Sequence, residues 1–188
     1  MSTRTERTRL RILEAALRLF AAEGYDAVPV TRIADEAGVS HMTFFRHFPS
    51  KSDVLVSDPY DPLIAEAVRA QPVELAPLER GRRGILAAWE RIGEGPDLAD
   101  EDMRLRLGIV ANHPGLRARM WESQQVTTQA IAAALVDGGA EVLEAEAAAG
   151  ALVGALTSAL FLLGTDPALG MREAITGAMR ALAQGSRP

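Results

Sequence analysis

The sequence contains no cysteine. Disulfides, thiolate zinc sites and cysteine nucleophiles are therefore excluded together, and the chain suits a reducing, cytoplasmic compartment. Aromatic residues are scarce, at 5%. No stretch alternates β-branched and polar residues with the period of two that a half-buried strand needs. There is no glycine-rich phosphate loop, no His-Glu-x-x-His and no nucleophile elbow, and only three histidines are present. The motifs of the common hydrolytic and nucleotide-using enzymes are thus missing, and the chain is read as a non-enzyme that needs no cofactor and no metal. The opening stretch MSTRTERTRLRILEAALRLF is charged and amphipathic, without the unbroken apolar run of a secretory signal.

What is present favours helices. Hydrophobic residues make up 48% of the chain, and alanine, leucine, arginine and glutamate recur throughout; these are good helix formers. The expectation is an all-α fold of about nine helices. In the first, over residues 4–23, Leu10, Leu13, Leu17 and Phe20 mark one apolar face, and Gly24 is placed to end it. A short helix follows over 31–37, with Thr31 as its N-cap. Gly38-Val39 makes a turn, and Ser40 caps a third helix that runs to Phe48. Ser50-x-x-Asp53 reads as a capping box for a fourth helix. Asp58-Pro59 and Asp61-Pro62 can each cap and start a helix, which gives a kinked connection to a segment ending near Ala70. Further helices are expected over 77–92, 99–112, 115–136, 141–164 and 167–183. The breaks between them are Gly93-Glu94-Gly95-Pro96, His113-Pro114-Gly115, Asp137-Gly138-Gly139 and Thr165-Asp166-Pro167.

Charge is unevenly shared. The net charge of −5 is unpromising for a polyanion partner. Residues 1–55, however, hold eight Lys/Arg against seven Asp/Glu, and the rest hold twelve against eighteen. Arg4, Arg7, Arg9 and Arg11 crowd the start, as a phosphate-binding arm requires.

Residues 31–55 read TRIADEAGVSHMTFFRHFPSKSDVL. Ile33, Ala34 and Ala37 give the first of two short helices an apolar face, Val39 plugs the core at the turn, and Ser40 lets the next helix start at a new angle. Two short helices joined by a glycine-containing turn make a helix-turn-helix, whose second helix enters the major groove of DNA. Ser40, His41, Thr43, Arg46 and His47 supply hydrogen-bond donors for phosphates or base edges. Lys51, at the start of the following helix, is placed to meet a phosphate. Phe44 and Phe48 read as core.

The runs ILEAALRLFAAEGYDAV, TRIADEAGVS and MTFFRHFPSK resemble the DNA-binding domain of the tetracycline-repressor (TetR) family, over nearly all of the first 55 residues. The resemblance implies a three-helix DNA-binding domain at 1–55 and a helical ligand-binding and dimerisation domain at 56–188. It implies that Thr31 and Arg32 meet the DNA backbone, that Ser40, His41, Met42 and Thr43 face bases or phosphates, and that Arg46, His47 and Lys51 meet the backbone, with Arg4 and Arg7 in the basic arm. The family usually has tyrosine where this chain has Phe45. That hydroxyl contact with a phosphate is unavailable here, which leaves Phe45 to pack on a sugar or a thymine methyl.

Behind this segment, Ala147 to Thr165 is an uncharged run of nineteen residues. Its small residues and its lack of flanking Lys/Arg argue for a buried subunit-interface helix over a membrane span. Gly150, Leu152, Gly154, Leu156, Leu160 and Leu163 are the expected homodimer contacts. Trp89, Met103, Leu107, Val110, Trp121 and Phe161, with Met120, are candidates for an apolar effector pocket, and Arg104 and Gln125 for its polar anchors; His113, beside Pro114, reads as a helix-ending residue. YDPLIAEAVRAQP followed by PLERGRRGI is similar to family members that sense acyl thioesters or other lipid-like molecules. The expected partners are a double-stranded DNA operator, a hydrophobic small molecule (acyl-coenzyme-A-like in class) and a second copy of the chain. The alternative is a regulator without ligand, controlled by its own abundance.

Overall fold

A computed structural model describes residues 4–57, 60–92 and 100–184. Asp58-Pro59, the Gly93-Glu94-Gly95-Pro96 break and Ala99 lie outside the described residues. The described residues form ten helices and no strand: α1 Arg4–Glu23, α2 Val30–Glu36, α3 His41–His47, α4 Asp53–Val56, α5 Asp61–Arg69, α6 Pro77–Ile92, α7 Asp100–Ala111, α8 Pro114–Val136, α9 Val142–Thr165 and α10 Met171–Gln184. The all-α expectation holds. The helices expected on either side of the kinked connection are α4 and α5.

The head is built around α1. Leu13, Leu17 and Phe20 of the marked face are buried together with Ile12, while Leu10 is half-buried; Ile33 of α2, Phe44 of α3 and its C-cap Phe48 close on them. Gly38 takes φ +63°, a left-handed conformation that costs glycine nothing, and this turn sets α3 at its angle to α2. Two cap assignments differ from expectation. Pro29 is the N-cap of α2, so Thr31 lies inside the helix, and Ser52 is the N-cap of α4 in place of Ser50, while Ser40 caps α3 as expected, accepting from the Thr43 N–H at 3.1 Å. Ser50 and Asp53 do pair ahead of α4: the Asp53 N–H donates to Ser50 Oγ at 3.3 Å and the hydroxyl donates to the carboxylate at 2.8 Å.

The core of the head does not stop at residue 55. Val54, Leu55 and Val56 of α4, Val110 of α7 and Leu116 of α8 belong to the same cluster as the α1 face. Beyond it, α9 is the central helix, in contact with α6, α7, α8 and α10. By length and composition α9 could cross a membrane; here its Ala145, Ala149, Leu152 and Leu163 are buried in the bundle. At the crossing of α5 and α6, a Cβ on Gly84 would stand 2.6 Å from Val68 Cα and 2.8 Å from its nitrogen. The two helices meet there backbone to backbone.

Gly84→Ala therefore sets two effects against each other. Helix propensity favours alanine by about 0.8–1 kcal/mol, but the clash is with backbone that cannot swing aside, and overpacking of that kind costs about 1–3 kcal/mol. The expected result is a net loss of stability in urea unfolding; a gain would mean that α5 and α6 separate freely.

Candidate nucleic-acid interface and internal cavity

On the outer side of the head, Thr31, Arg32, Ser40, His41, Met42, Phe45 and Arg46 are exposed, and Thr43 and His47 are half-buried. Arg4, Arg7 and Arg11 are exposed at spacings of three and four on α1, so they share one face. Arg9 turns elsewhere. It donates to Ser57 Oγ at 3.3 Å and lies over the Phe48 ring. Arg32 pairs with Glu23 at 2.9 Å, but both are exposed, and such pairs are worth about 0–1 kcal/mol, little enough to exchange for a phosphate. The imidazole of His47 is held below the usual 6.5 by burial first and then by Arg46 and Arg9. It meets neutral solution as an uncharged donor.

Lys51 lies just before α4, as expected, but its partners are internal. Its ammonium donates to the carbonyls of Tyr25, at 2.8 Å, and Val28, at 3.1 Å, and sits 4.3 Å from the Tyr25 ring centroid. Its donors tie the α1–α2 connection to the start of α4, so they are engaged within the head. The charge pattern alone did not distinguish a solvated lysine from one that gathers carbonyls.

Behind the head, α5, α6, α7, α8, α9 and α10 enclose a mostly apolar cavity of about 170 Å³. Trp89, Met103, Leu107 and Met120 line it, as the sequence suggested. The Trp89 indole N–H is buried in this wall and has no acceptor among the described residues. Other candidates lie elsewhere, for reasons of helix phase and length. Val110 is on the Met103–Leu107 stripe but seven residues along, about 10 Å further at 1.5 Å per residue, where it enters the core of the head. Phe161 also packs on the head. Trp121 is 66% exposed and Gln125 is exposed; their neighbours Met120 and Gln124 face the cavity, so the inward stripe of α8 was read one residue out of phase. Arg104 donates to the carbonyls of Asp166 and Leu169 at 2.9 and 2.6 Å, closing the α9–α10 connection instead of anchoring a ligand. His113 is the N-cap of α8 and does not reach the cavity: its Nδ1 accepts from the Leu116 N–H, and its Nε2 faces Asp26 of the head at 3.1 Å.

The interface leucines also need correction. Leu152 and Leu163 are buried within the protomer, and Leu156 and Leu160 line the cavity. Gly150 and Gly154 lie on the opposite side of α9, where an added Cβ would meet open space. With exposed Leu143, Ala147, Ser158 and Leu162 they form the outward face of the helix.

Sequence reasoning missed the residues that join cavity and head. Arg106 of α7 donates through Nε to the Leu55 carbonyl and through Nη2 to the Ser57 carbonyl at 2.7 Å, and Ser123 of α8 donates to the Val56 carbonyl at 3.0 Å. Arg106, Ser123, Val56 and Ser57 all line the cavity. The last carbonyls of α4, which a helix end leaves without backbone partners, are thus held by the cavity wall. The signal available was the correct phase of α8, in which Met120, Ser123, Gln124 and Thr127 share one stripe.

Residues 12–57 match the family model described as "Bacterial regulatory proteins, tetR family", and residues 81–187, more than half of the chain, match "MftR C-terminal domain". The chain belongs to the TetR family of transcriptional regulators. The HTH-type transcriptional regulator TcmR of Streptomyces glaucescens is 33% identical over 117 residues, 60% of this chain and 51% of that protein, so this chain spans about half the length of that relative. Among solved structures, SmeT, the repressor of the Stenotrophomonas maltophilia multidrug efflux pump SmeDEF, covers 96% of this chain and 91% of its own, with a TM-score of 0.60 and 20% identity. FadR of Thermus thermophilus, a repressor solved with lauroyl-CoA, covers 96% and 95%, with a TM-score of 0.51 and 22% identity. At those identities the likeness is one of fold. This TetR-family chain thus carries its helix-turn-helix on the exposed α2–α3 pair and a mostly apolar cavity behind α4.

The geometry separates exposed cations from internally bonded ones. Arg4→Ala and Arg7→Ala are each expected to weaken DNA binding and to lower the slope of log K against log salt by about 0.9 for each phosphate no longer neutralised. Lys51→Met is expected to leave that slope unchanged while lowering the melting temperature. Mobility shifts across a salt series, with thermal melts of the same variants, measure both.

Proposed function

We propose that this regulator is a homodimeric, cytoplasmic repressor that binds a palindromic operator and is released when a hydrophobic small molecule fills the cavity behind α4. The head at 1–55 grips the operator through α3, flanked by phosphate contacts from Arg4, Arg7, Thr31, Arg32, Arg46 and His47. The domain at 56–188 binds the effector and dimerises. The observation that carries this reading is the shared wall: the side chains that hold the carbonyls at the end of α4 are the side chains that line the cavity. This favours effector control over control by abundance alone, because occupation of the cavity and placement of the head draw on the same donors.

Dimerisation through the outward face of α9 and through α10 follows from the open glycine stripe. Small residues let two helices approach closely, and a two-fold interface gives two heads that match the two halves of a palindrome. Each α3 then enters one of two successive major grooves, roughly 34–36 Å apart. An effector acts only through differential affinity for the gripping and released arrangements. Acyl thioesters are the first class to screen, supported by the apolar lining and by the lauroyl-CoA held by the Thermus neighbour. A long acyl chain requires the cavity to widen beyond its 170 Å³.

The test begins with the purified protein on its own upstream DNA and on sequences selected from random DNA, in a mobility-shift assay. A protected inverted repeat is expected. Thermal-shift screening with acyl-coenzyme A of graded chain length then asks for an effector, and any stabiliser is returned to the shift assay. A stabiliser that leaves the DNA complex intact would refute release as its action. Leu107→Trp, which fills the cavity, is expected to abolish the effector's stabilisation at retained operator affinity. Ser123→Ala removes one of the grips on α4, and at about 1 kcal/mol for a hydrogen bond it is expected to change the effector's coupling to DNA about fivefold.

A further inference from the structure

We propose that α3 reads its operator through thymine methyl groups, with Met42 and Phe45 as the side chains that touch them. The inference rests on the reading of α3 as the helix that enters the major groove. The hydroxyls at the start of α3 are already engaged with one another, and the exposed His41 ring packs on Phe45. Ser40 Oγ accepts from the Thr43 N–H at 3.1 Å and lies 2.9 Å from Thr43 Oγ1, which accepts from Arg46 Nη2 at 3.1 Å. A base edge that recruits Ser40 or Thr43 competes with the cap of the helix. No asparagine or glutamine lies within His41–His47 to pair with adenine in two-point fashion. Arg46 sits in the last turn, away from the N-terminal residues that meet base edges in this motif.

Beside His41 and Arg46, α3 presents an apolar pair outward. Met42 is 76% exposed and Phe45 37%, and among the described residues of the head they are the large hydrophobic side chains left exposed. Phe44 and Phe48, their neighbours in sequence, are buried. Met42 and Phe45 stand three residues apart and so share a face. The His41 ring packs edge-on against Phe45, centroids 4.7 Å apart, which fixes the direction of the phenyl ring. An exposed apolar pair on a groove-entering helix needs an apolar counterpart. Among the base edges of the major groove, the apolar group is the C5-methyl of thymine. Phe45 thereby gains the base contact in place of the phosphate contact that a hydroxyl there would make.

The experiment uses the full-length protein and an operator obtained by selection from random DNA. Each thymine is replaced singly by deoxyuridine, which removes the methyl and leaves the hydrogen-bonding edge intact. At one or two thymines per half-site, uracil is expected to weaken binding about three- to fivefold, the effect of losing one buried methyl. Met42→Ala and Phe45→Ala are each expected to erase the thymine–uracil difference at their own position while leaving the salt slope unchanged; both residues are at the surface, and circular dichroism verifies the fold. An operator bound with no loss at any uracil would overturn the inference and leave the DNA-binding reading standing. Failure of any sequence to enrich would overturn the DNA-binding reading as well.

Discussion

The arrangement of the two halves depends on how the end of α4 is held. A four-residue helix supplies almost none of its own carbonyl partners, and Leu55, Val56 and Ser57 would end the helix with unmet acceptors. Arg106 and Ser123 meet them from α7 and α8. Leu55 and Val56 meanwhile bury their side chains among the core residues of α1. The same short helix is fixed by apolar packing on the head side and by hydrogen bonds on the bundle side. Neither side can shift alone without leaving buried groups unpaired, which makes α4 a joint with few intermediate positions.

A second connection runs parallel to it. The Leu116 N–H occupies His113 Nδ1, so the neutral ring carries its proton on Nε2, directed at Asp26 in the connection between α1 and α2. Lys51 gathers the carbonyls of that same connection and rests on Tyr25, whose ring also meets His113. Hydrogen bonds thus join head and bundle both at the cavity wall and at His113, remote from it, in addition to the apolar packing of Val110 and Leu116 on the head.

Much of this was legible in the sequence. Helix periodicity, Gly38, Ser40 and the Ser50–Asp53 box placed the head almost residue by residue, because local sequence decides caps and turns. The bundle was legible as helices but less so as faces. On α8 the apolar and polar residues are mixed, so the stripe could be drawn through Trp121 and Gln125 or, as the structure has it, one position earlier through Met120 and Gln124. On α9 nearly every residue is apolar or small, so composition could not tell the leucines that fill the protomer from the glycines that face out. The internal partners of Lys51 and Arg104 escaped the sequence for another reason. A cation that collects distant carbonyls leaves no local trace, and its partners are 23 and 62 residues away in sequence.

The two tryptophans occupy opposite environments. Trp89 has its indole nitrogen sealed in the cavity wall, and Trp121 stands 66% exposed on the outer face of α8. The protein therefore carries two built-in optical probes of different colour. The outer one emits to the red and is open to collisional quenchers. The inner one emits to the blue, and its spectrum answers to whatever enters beside it. Light from the unlabelled chain can thus tell the filling of its interior from events at its surface.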